Sequence, residues 1–111
     1  MKGVKYKINA DGKSVTVTGV KNKKSKSILI PAKVKYAGVS YRISKIGKNA
    51  FKNCKKVKLI EFKTVDLKNA GKNCFKGINN KAVIKGPAKK LKANKKLFKS
   101  KGQSKNVIIK K

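Results

Sequence analysis

Histidine and tryptophan are absent from this chain, and carboxylates nearly so: Asp11, Glu61 and Asp66 are its only acidic side chains. Without histidine or a carboxylate cluster, the usual groups for acid–base chemistry at neutral pH are missing. The serines and threonines have no evident base beside them to activate a hydroxyl. We therefore expect a non-catalytic protein with no cofactor. Two cysteines, Cys54 and Cys74, are too few for a disulfide framework. They also lack the neighbours a metal site needs, so no metal is expected and both read as small buried hydrophobes, with a disulfide as the alternative in an oxidising compartment. No apolar run approaches the roughly 20 residues of a membrane span. The opening Met1-Lys2-Gly3-Val4-Lys5 lacks the apolar core of a secretory signal. An exported protein would then carry its signal elsewhere, in a longer precursor.

What the chain has in excess is lysine. Thirty-three basic residues face three acidic ones, for a net charge of +30, and every basic residue but Arg42 is a lysine. Yet 39% of the 111 residues are hydrophobic, and they run from Val4 to Ile109. This is one domain with a modest core rather than a basic tail. Most lysines have no acidic partner, so self-repulsion works against the compact state. Such a surface is expected to meet a polyanion.

Alternation of apolar and polar residues marks strands at Val4-Lys5-Tyr6-Lys7-Ile8 and Ser14-Val15-Thr16-Val17-Thr18. Asp11-Gly12 between them supplies hairpin turn chemistry. Gly19 is expected to end the second strand, and residues 20 to 26 to form a polar connection. Ile28-Leu29-Ile30 reads as a strand stopped by Pro31, which cannot donate to a ladder. Val34-Lys35-Tyr36 and Tyr41-Arg42-Ile43 flank a second hairpin turn at Gly38.

From there the sequence repeats. Ile46-Gly47-Lys48-Asn49-Ala50-Phe51-Lys52 returns 24 residues later as Ala70-Gly71-Lys72-Asn73-Cys74-Phe75-Lys76. The same offset carries Leu59-Ile60 to Val83-Ile84 and on to Val107-Ile108. A period of this size is that of leucine-rich repeats, whose units bury an apolar face only by stacking. Each unit is expected to supply a strand, a turn and a short helical stretch. Gly47 and Gly71 are read as turn residues, Phe51 and Phe75 as stacked fillers, and Ile28, Ile60, Ile84 and Ile108 as one buried row. Residues 88 to 98 have Leu91, Ala93, Leu97 and Phe98 at roughly helical spacing and read as a divergent cap.

Ile28-Leu29-Ile30-Pro31 and Ile46-Gly47-Lys48-Asn49-Ala50-Phe51-Lys52-Asn53-Cys54 resemble the BspA-like, or treponemal-type, bacterial leucine-rich repeats. The match is good over residues 27 to 62, weaker to 87 and poor before 20. The resemblance implies a right-handed solenoid with parallel strands, a secreted or cell-surface location in bacteria, and adhesion to matrix proteins or other surfaces. This chain departs from the signature in having few repeats and in its second unit, which has Cys74 where alanine is usual and Gly86 and Pro87 breaking the strand. The expected fold is thus a β-rich α/β solenoid in one domain: an N-terminal β-hairpin cap over 1–26, leucine-rich repeats over 27–87 and a helical capping unit over 88–111.

The 24-residue offset also aligns lysines: Lys48, Lys72 and Lys96; Lys52 and Lys76; Lys68 and Lys92; Lys81 and Lys105. Columns of like charge at the spacing of neighbouring strands, about 4.8 Å, repel one another modestly, about 1 kcal/mol or less per pair in water. A linear polyanion would relieve that repulsion. The expected partners are an anionic cell-wall polymer, an acidic glycan or an anionic lipid surface. A host surface protein held at Tyr36 and Tyr41 is the alternative. Non-specific nucleic-acid binding is a third reading, since charge alone drives it, but a single arginine argues against base-specific contacts.

Overall fold

The computed structural model describes residues 3 to 65 and 67 to 111. Met1, Lys2 and Asp66, one of the three carboxylates counted above, lie outside the described residues. Among the described residues, nine strands and one short α-helix build two sheets around a single core.

The chain begins with the expected hairpin. Strand β1 (Val4–Ile8) pairs antiparallel with β2 (Ser14–Val20). In the turn, the amides of Lys13 and Ser14 donate to Asp11 Oδ1 at 2.9 and 3.1 Å. These bonds, with one from the Ser14 hydroxyl, hold the Asp11 carboxyl below its ordinary value, the Lys13 amide first among them. Contrary to the sequence reading, Gly19 does not end β2. The strand runs on to the buried Val20, because a bulge at Lys5/Tyr6 lets the ladder continue.

Strand β3 (Ser27–Ile30) stops at Pro31 as expected. Strands β4 (Lys33–Tyr36) and β5 (Val39–Ile46) form the second hairpin. Its two-residue turn has Ala37 at φ 52° and Gly38 at φ 81°, the pair of positive φ values of a type I′ turn. Glycine takes that conformation freely; alanine does not. We predict that Ala37→Asn raises stability by about 0.5–1 kcal/mol. Urea unfolding would show the gain as a later midpoint with an unchanged slope.

Three further strands follow: β6 (Leu59–Phe62), β7 (Asn69–Ala70) and β8 (Val83–Lys85). A 3-10 turn over Ala88–Lys90 leads into helix α1 (Leu91–Leu97), and β9 (Ile108–Lys110) closes the chain. One sheet runs β3-β6-β8-β9, all parallel. In the other, β2, β5 and β7 are parallel neighbours, extended by β1 and β4. Three successive coils therefore supply a strand to each of two sheets, while the last, among the described residues, supplies β9 alone. The sequence had suggested one strand and a helical stretch per unit.

The stretch over 88–98 does contain a helix, whereas the Gly-x-Asn-x-Phe segments read as helical are turns. Their backbone explains why. The N–H groups of Ala50, Lys52 and Cys54 bond back three residues, at 3.1–3.2 Å. Those between them, on Asn49, Phe51 and Asn53, cross to Lys72, Cys74 and Lys76 of the next coil at 2.8–3.2 Å. A helix would send every donor inward along its own axis. Here the left-handed residues Asn49 (φ 62°), Asn53 (φ 65°) and Asn73 (φ 59°) break that pattern at regular intervals, a conformation asparagine tolerates better than most residues.

Gly47 and Gly71 have ordinary φ, so neither is a turn glycine in the sense expected. Their role is close approach. A Cβ on Gly71 would sit 2.7 Å from the Gly47 carbonyl carbon and 2.8 Å from Lys48 Cα, and closer still to the Lys48 amide nitrogen.

The core holds the predicted row of Ile28, Ile60 and Ile84, which pair in register. Ile108 is not its fourth member. It pairs with Val83 and is 57% exposed, while the half-buried Ile109 pairs with Ile84. On the β8–β9 ladder the spacing is 25 residues rather than the 24 of the repeat. On α1, Asn94 rather than Ala93 turns inward.

All four phenylalanines meet in a closed ring of contacts. Phe51 and Phe75 stack as expected, with centroids 5.6 Å apart and planes at 5°. Phe62 packs edge-on to Phe51 at 6.2 Å, and Phe98 touches Phe62 at 5.3 Å and Phe75 at 5.2 Å. Both thiols are fully buried. Burial raises each above the ordinary thiol range, Cys74 to about 12.

Candidate binding surface

The alternating turn segments determine where the lysines go. Asn49 N–H donates to Lys72 O and Asn53 N–H to Lys76 O, so the backbone of each turn lies one hydrogen bond from its successor. Lys48 and Lys72 thus occupy adjacent coils at equivalent points, as do Lys52 and Lys76. Lys48, Lys72 and Lys76 are exposed and Lys52 half-buried. These two expected columns exist as two-membered rows.

The other alignments fail where the last coil changes length. Phe75 N–H crosses to Lys101 O, whereas Phe51 N–H crosses to Cys74 O. The counterpart of Cys74 is therefore Lys101, 27 residues on rather than 24. Lys96 falls on α1, out of the Lys48–Lys72 row. Lys92 also lies on α1, while Lys68 is held beside β5 by its N–H bond to Ser44 O at 2.7 Å. No strand pairing joins Lys68 to Lys92 among the described residues. Lys81 and Lys105 both sit in turns before the ladder, but the register of β8 and β9 matches Lys81 with Asn106. On the ladder itself, Lys85 pairs with Lys110, a lysine pair the 24-residue offset did not find.

Tyr36 is 56% exposed, whereas Tyr41 is 9% exposed and belongs to the core. The burial of β5 alternates, with Tyr41 and Ile43 inward and Arg42 outward. Tyr41 can therefore offer only its edge. That edge, with Tyr6, Ile8, Val34 and Tyr36, lines an open apolar groove of about 350 Å³. Burial in it pushes the Tyr6 phenol up to about 12.

Sequence reasoning missed one site altogether. Where β2 pairs with β5, the register slips between Val15 and Thr16, which oppose Ile43 and Lys45, so Ser44 is left as the extra residue of a bulge. Its buried hydroxyl turns toward the first hairpin, where Asn9 Nδ2 donates to it at 3.3 Å. Arg42, Lys45 and Lys68 border the same cavity, about 270 Å³ in volume. The only available signal was that Arg42 is the lone arginine among so many lysines.

Among the described residues no group of three or more histidine, cysteine or carboxylate side chains could hold a metal ion. Among the same residues no helix is long and apolar enough to cross a membrane.

Parallel ladders, inter-coil turn bonds and a stacked phenylalanine core define a repeat protein whose coils share one interior. A family model for BspA type leucine rich repeat regions matches residues 21–111, and the chain belongs to that family. A leucine rich cell surface protein from Faecalibacterium prausnitzii A2-165 has a similar structure, with a TM-score of 0.52 and 22% sequence identity. The similarity covers 74% of this chain and 28% of that one. No curated protein matches the chain in sequence.

Proposed function

We propose that this domain is a surface-attachment module that holds anionic polymers, such as cell-wall polymers or acidic glycans, through its lysines, as part of a longer exported, extracellular protein. The observation that carries this reading is a net charge of +30 on a frame that keeps Lys48 beside Lys72 and Lys52 beside Lys76. The rows cannot relax apart, because the backbones beneath them are hydrogen-bonded. A polyanion neutralises them together. The name of the similar bacterial protein supports a surface location. The right-handed winding implied by the family resemblance, and the capping roles of the first hairpin and the α1 unit, belong to the same proposal.

Binding of this kind is spread over many side chains. Association with an anionic wall polymer is expected to weaken by several orders of magnitude between about 0.05 and 0.5 M salt, as the screening length falls below the size of the contact. Any single Lys→Ala change should alter affinity less than about fivefold, since one exposed charge contributes at most about 1 kcal/mol. Pull-down with purified polymer across a salt series measures both. Retention unchanged at about 1 M salt overturns the reading.

A second reading, a protein–protein adhesion module, has one observation in its favour: the open apolar groove beside Tyr36. Saturable binding to one matrix protein, insensitive to salt and lost in Tyr36→Ala, would favour it. Nucleic acid enters only as another polyanion, and its binding would not distinguish the biological ligand.

A further inference from the structure

We propose that the pocket at the Ser44 bulge is a discrete site for one phosphate group, read by Arg42 and distinct in kind from the diffuse lysine surface. This deepens the polyanion reading: it names the charged group recognised and the residues that recognise it.

Three chain segments meet at the pocket. The first hairpin brings Asn9, Asp11 and Ser14; strand β5 brings Arg42, Ser44 and Lys45; the segment before β7 brings Lys68. Backbone bonds fix all three. Arg42 N–H donates to Lys13 O at 3.2 Å and Lys68 N–H to Ser44 O at 2.7 Å. Cations from separate segments are thus brought together by the fold, where most lysines of this chain simply project outward.

The pocket also supplies directional polar groups. Asn9 is the hub of a network: its Nδ2 donates to Ser14 Oγ at 2.8 Å and to Ser44 Oγ at 3.3 Å, and its Oδ1 accepts from Thr16 Oγ1 at 2.5 Å. Ser14 Oγ in turn donates to the Asp11 carboxylate at 3.0 Å. Ser44 Oγ accepts from Asn9 and, among the described residues, donates to no protein group. Its proton is available to an acceptor in the pocket. A bulge is a common device for re-aiming a side chain at a site, and here it turns one hydroxyl away from the regular alternation of β5.

Arg42 decides the chemistry. A guanidinium presents paired donors that match two oxygens of a phosphate, while an ammonium acts as a point charge. Among 33 basic residues, the one able to do this lines the pocket at the Ser44 bulge. The cavity, about 270 Å³, admits a phosphate group and several waters, each taking about 30 Å³. Asp11 lines it too. Its charge is held by the Lys13 and Ser14 amides and by Ser14 Oγ, and it lies within electrostatic reach of Arg42. Three cations against one carboxylate leave the site net positive, suited to a single compact anion.

The test uses the whole chain and inorganic phosphate as probe, in about 0.3 M sodium chloride, where the screening length is only about 5–6 Å and diffuse binding is suppressed. Amide chemical shifts are followed by NMR. Saturable shifts confined to Asn9, Arg42, Ser44 and their neighbours are expected. Arg42→Lys keeps the charge but loses the fork, and should weaken binding about tenfold. Lys56→Ala, which removes a charge from an exposed turn away from this pocket, should leave binding unchanged. Shifts spread evenly over the lysines, or equal effects of Arg42→Lys and Lys56→Ala, overturn the proposal. Glycerol phosphate and vesicles of an acidic phospholipid then separate the sources, since a phosphate ester that belongs in the site must compete with inorganic phosphate at the Arg42 and Ser44 amides. If none competes, a phosphate-bearing partner is excluded. The lysine reading is judged separately, by polymer binding at low salt, so the two can fail independently.

Discussion

Gly71→Ala is expected to destabilise the protein by about 3 kcal/mol or more, at or above the top of the usual overpacking range. The added methyl would press into the Gly47–Lys48 peptide of the neighbouring coil, with 2.7 Å to the Gly47 carbonyl carbon and 2.8 Å to Lys48 Cα. These are backbone atoms that cannot turn aside as a side-chain end can. The coils would have to separate where Gly71 N–H donates to Ile46 O at 2.7 Å, breaking the ladder that joins β5 to β7. For a domain of this size about 1 kcal/mol corresponds to roughly 4 °C, so the melting temperature should fall by more than about 10 °C. Gly47→Ala is the graded comparison. Its methyl would meet Val17 O at 3.0 Å and Thr16 Cγ2 at 3.4 Å, a tight contact with some room to yield, and the loss should be clearly smaller. Thermal unfolding followed by circular dichroism ranks the two. Equal melting temperatures for Gly71→Ala and the parent chain would show that the coils do not approach this closely.

That contrast shows how far the sequence could be read. The Gly-x-Asn-x-Phe repeat announced stacked coils, and the phenylalanine and isoleucine columns followed from its 24-residue spacing. Yet the two recurring features of the repeat carry different duties than their residue types suggest. Glycine serves wherever a Cβ is unwelcome, whether because φ is positive or because another backbone is near, and sequence alone cannot separate these. Here asparagine supplies the left-handed residues at 49, 53 and 73, leaving Gly71 free to serve close packing. The turns read as helical because a repeat of this length commonly pairs a strand with a short helical stretch. What the spacing could not show is that alternate donors leave the turn for the next coil.

Errors toward the carboxyl end share one physical origin. A repeat offset holds only while each coil has the same length, and the coil containing α1 is longer. It moves Ile109 into the place assigned to Ile108 and removes Lys96 from the lysine row. Tyr41 was misplaced for another reason. An aromatic residue beside a turn suggested a surface contact, although strict alternation with Ile43 already points it inward. The Ser44 pocket was hidden for a deeper reason still. A bulge depends on how β2 and β5 pair, and nothing in β5 alone marks the extra residue.

Phe75→Ala is expected to have the largest effect of any single truncation, about 3–5 kcal/mol. Phe75 is fully buried and central to the aromatic ring of contacts, stacked on Phe51 and edge-on to Phe98. Removing it empties space between two coils and the α1 unit at once, and the surrounding backbone is too tied by inter-coil bonds to collapse into it. A loss of this size takes much of the total stability of an ordinary domain, about 5–15 kcal/mol. The mutual repulsion of the lysines also works against the compact state. Phe75→Ala should therefore be largely unfolded in dilute buffer and regain structure when sulfate or a soluble polyanion is added, because both the screening and the binding favour the compact state. Ile108→Ala is the matched control, since its exposed side chain should be worth less than about 0.5 kcal/mol. Chemical unfolding of the three proteins, with and without polyanion, measures the core and the charged surface together. If Phe75→Ala melts like Ile108→Ala, the shared interior is not what holds the coils. If polyanion fails to restore its fold, the lysine surface is not the source of the strain.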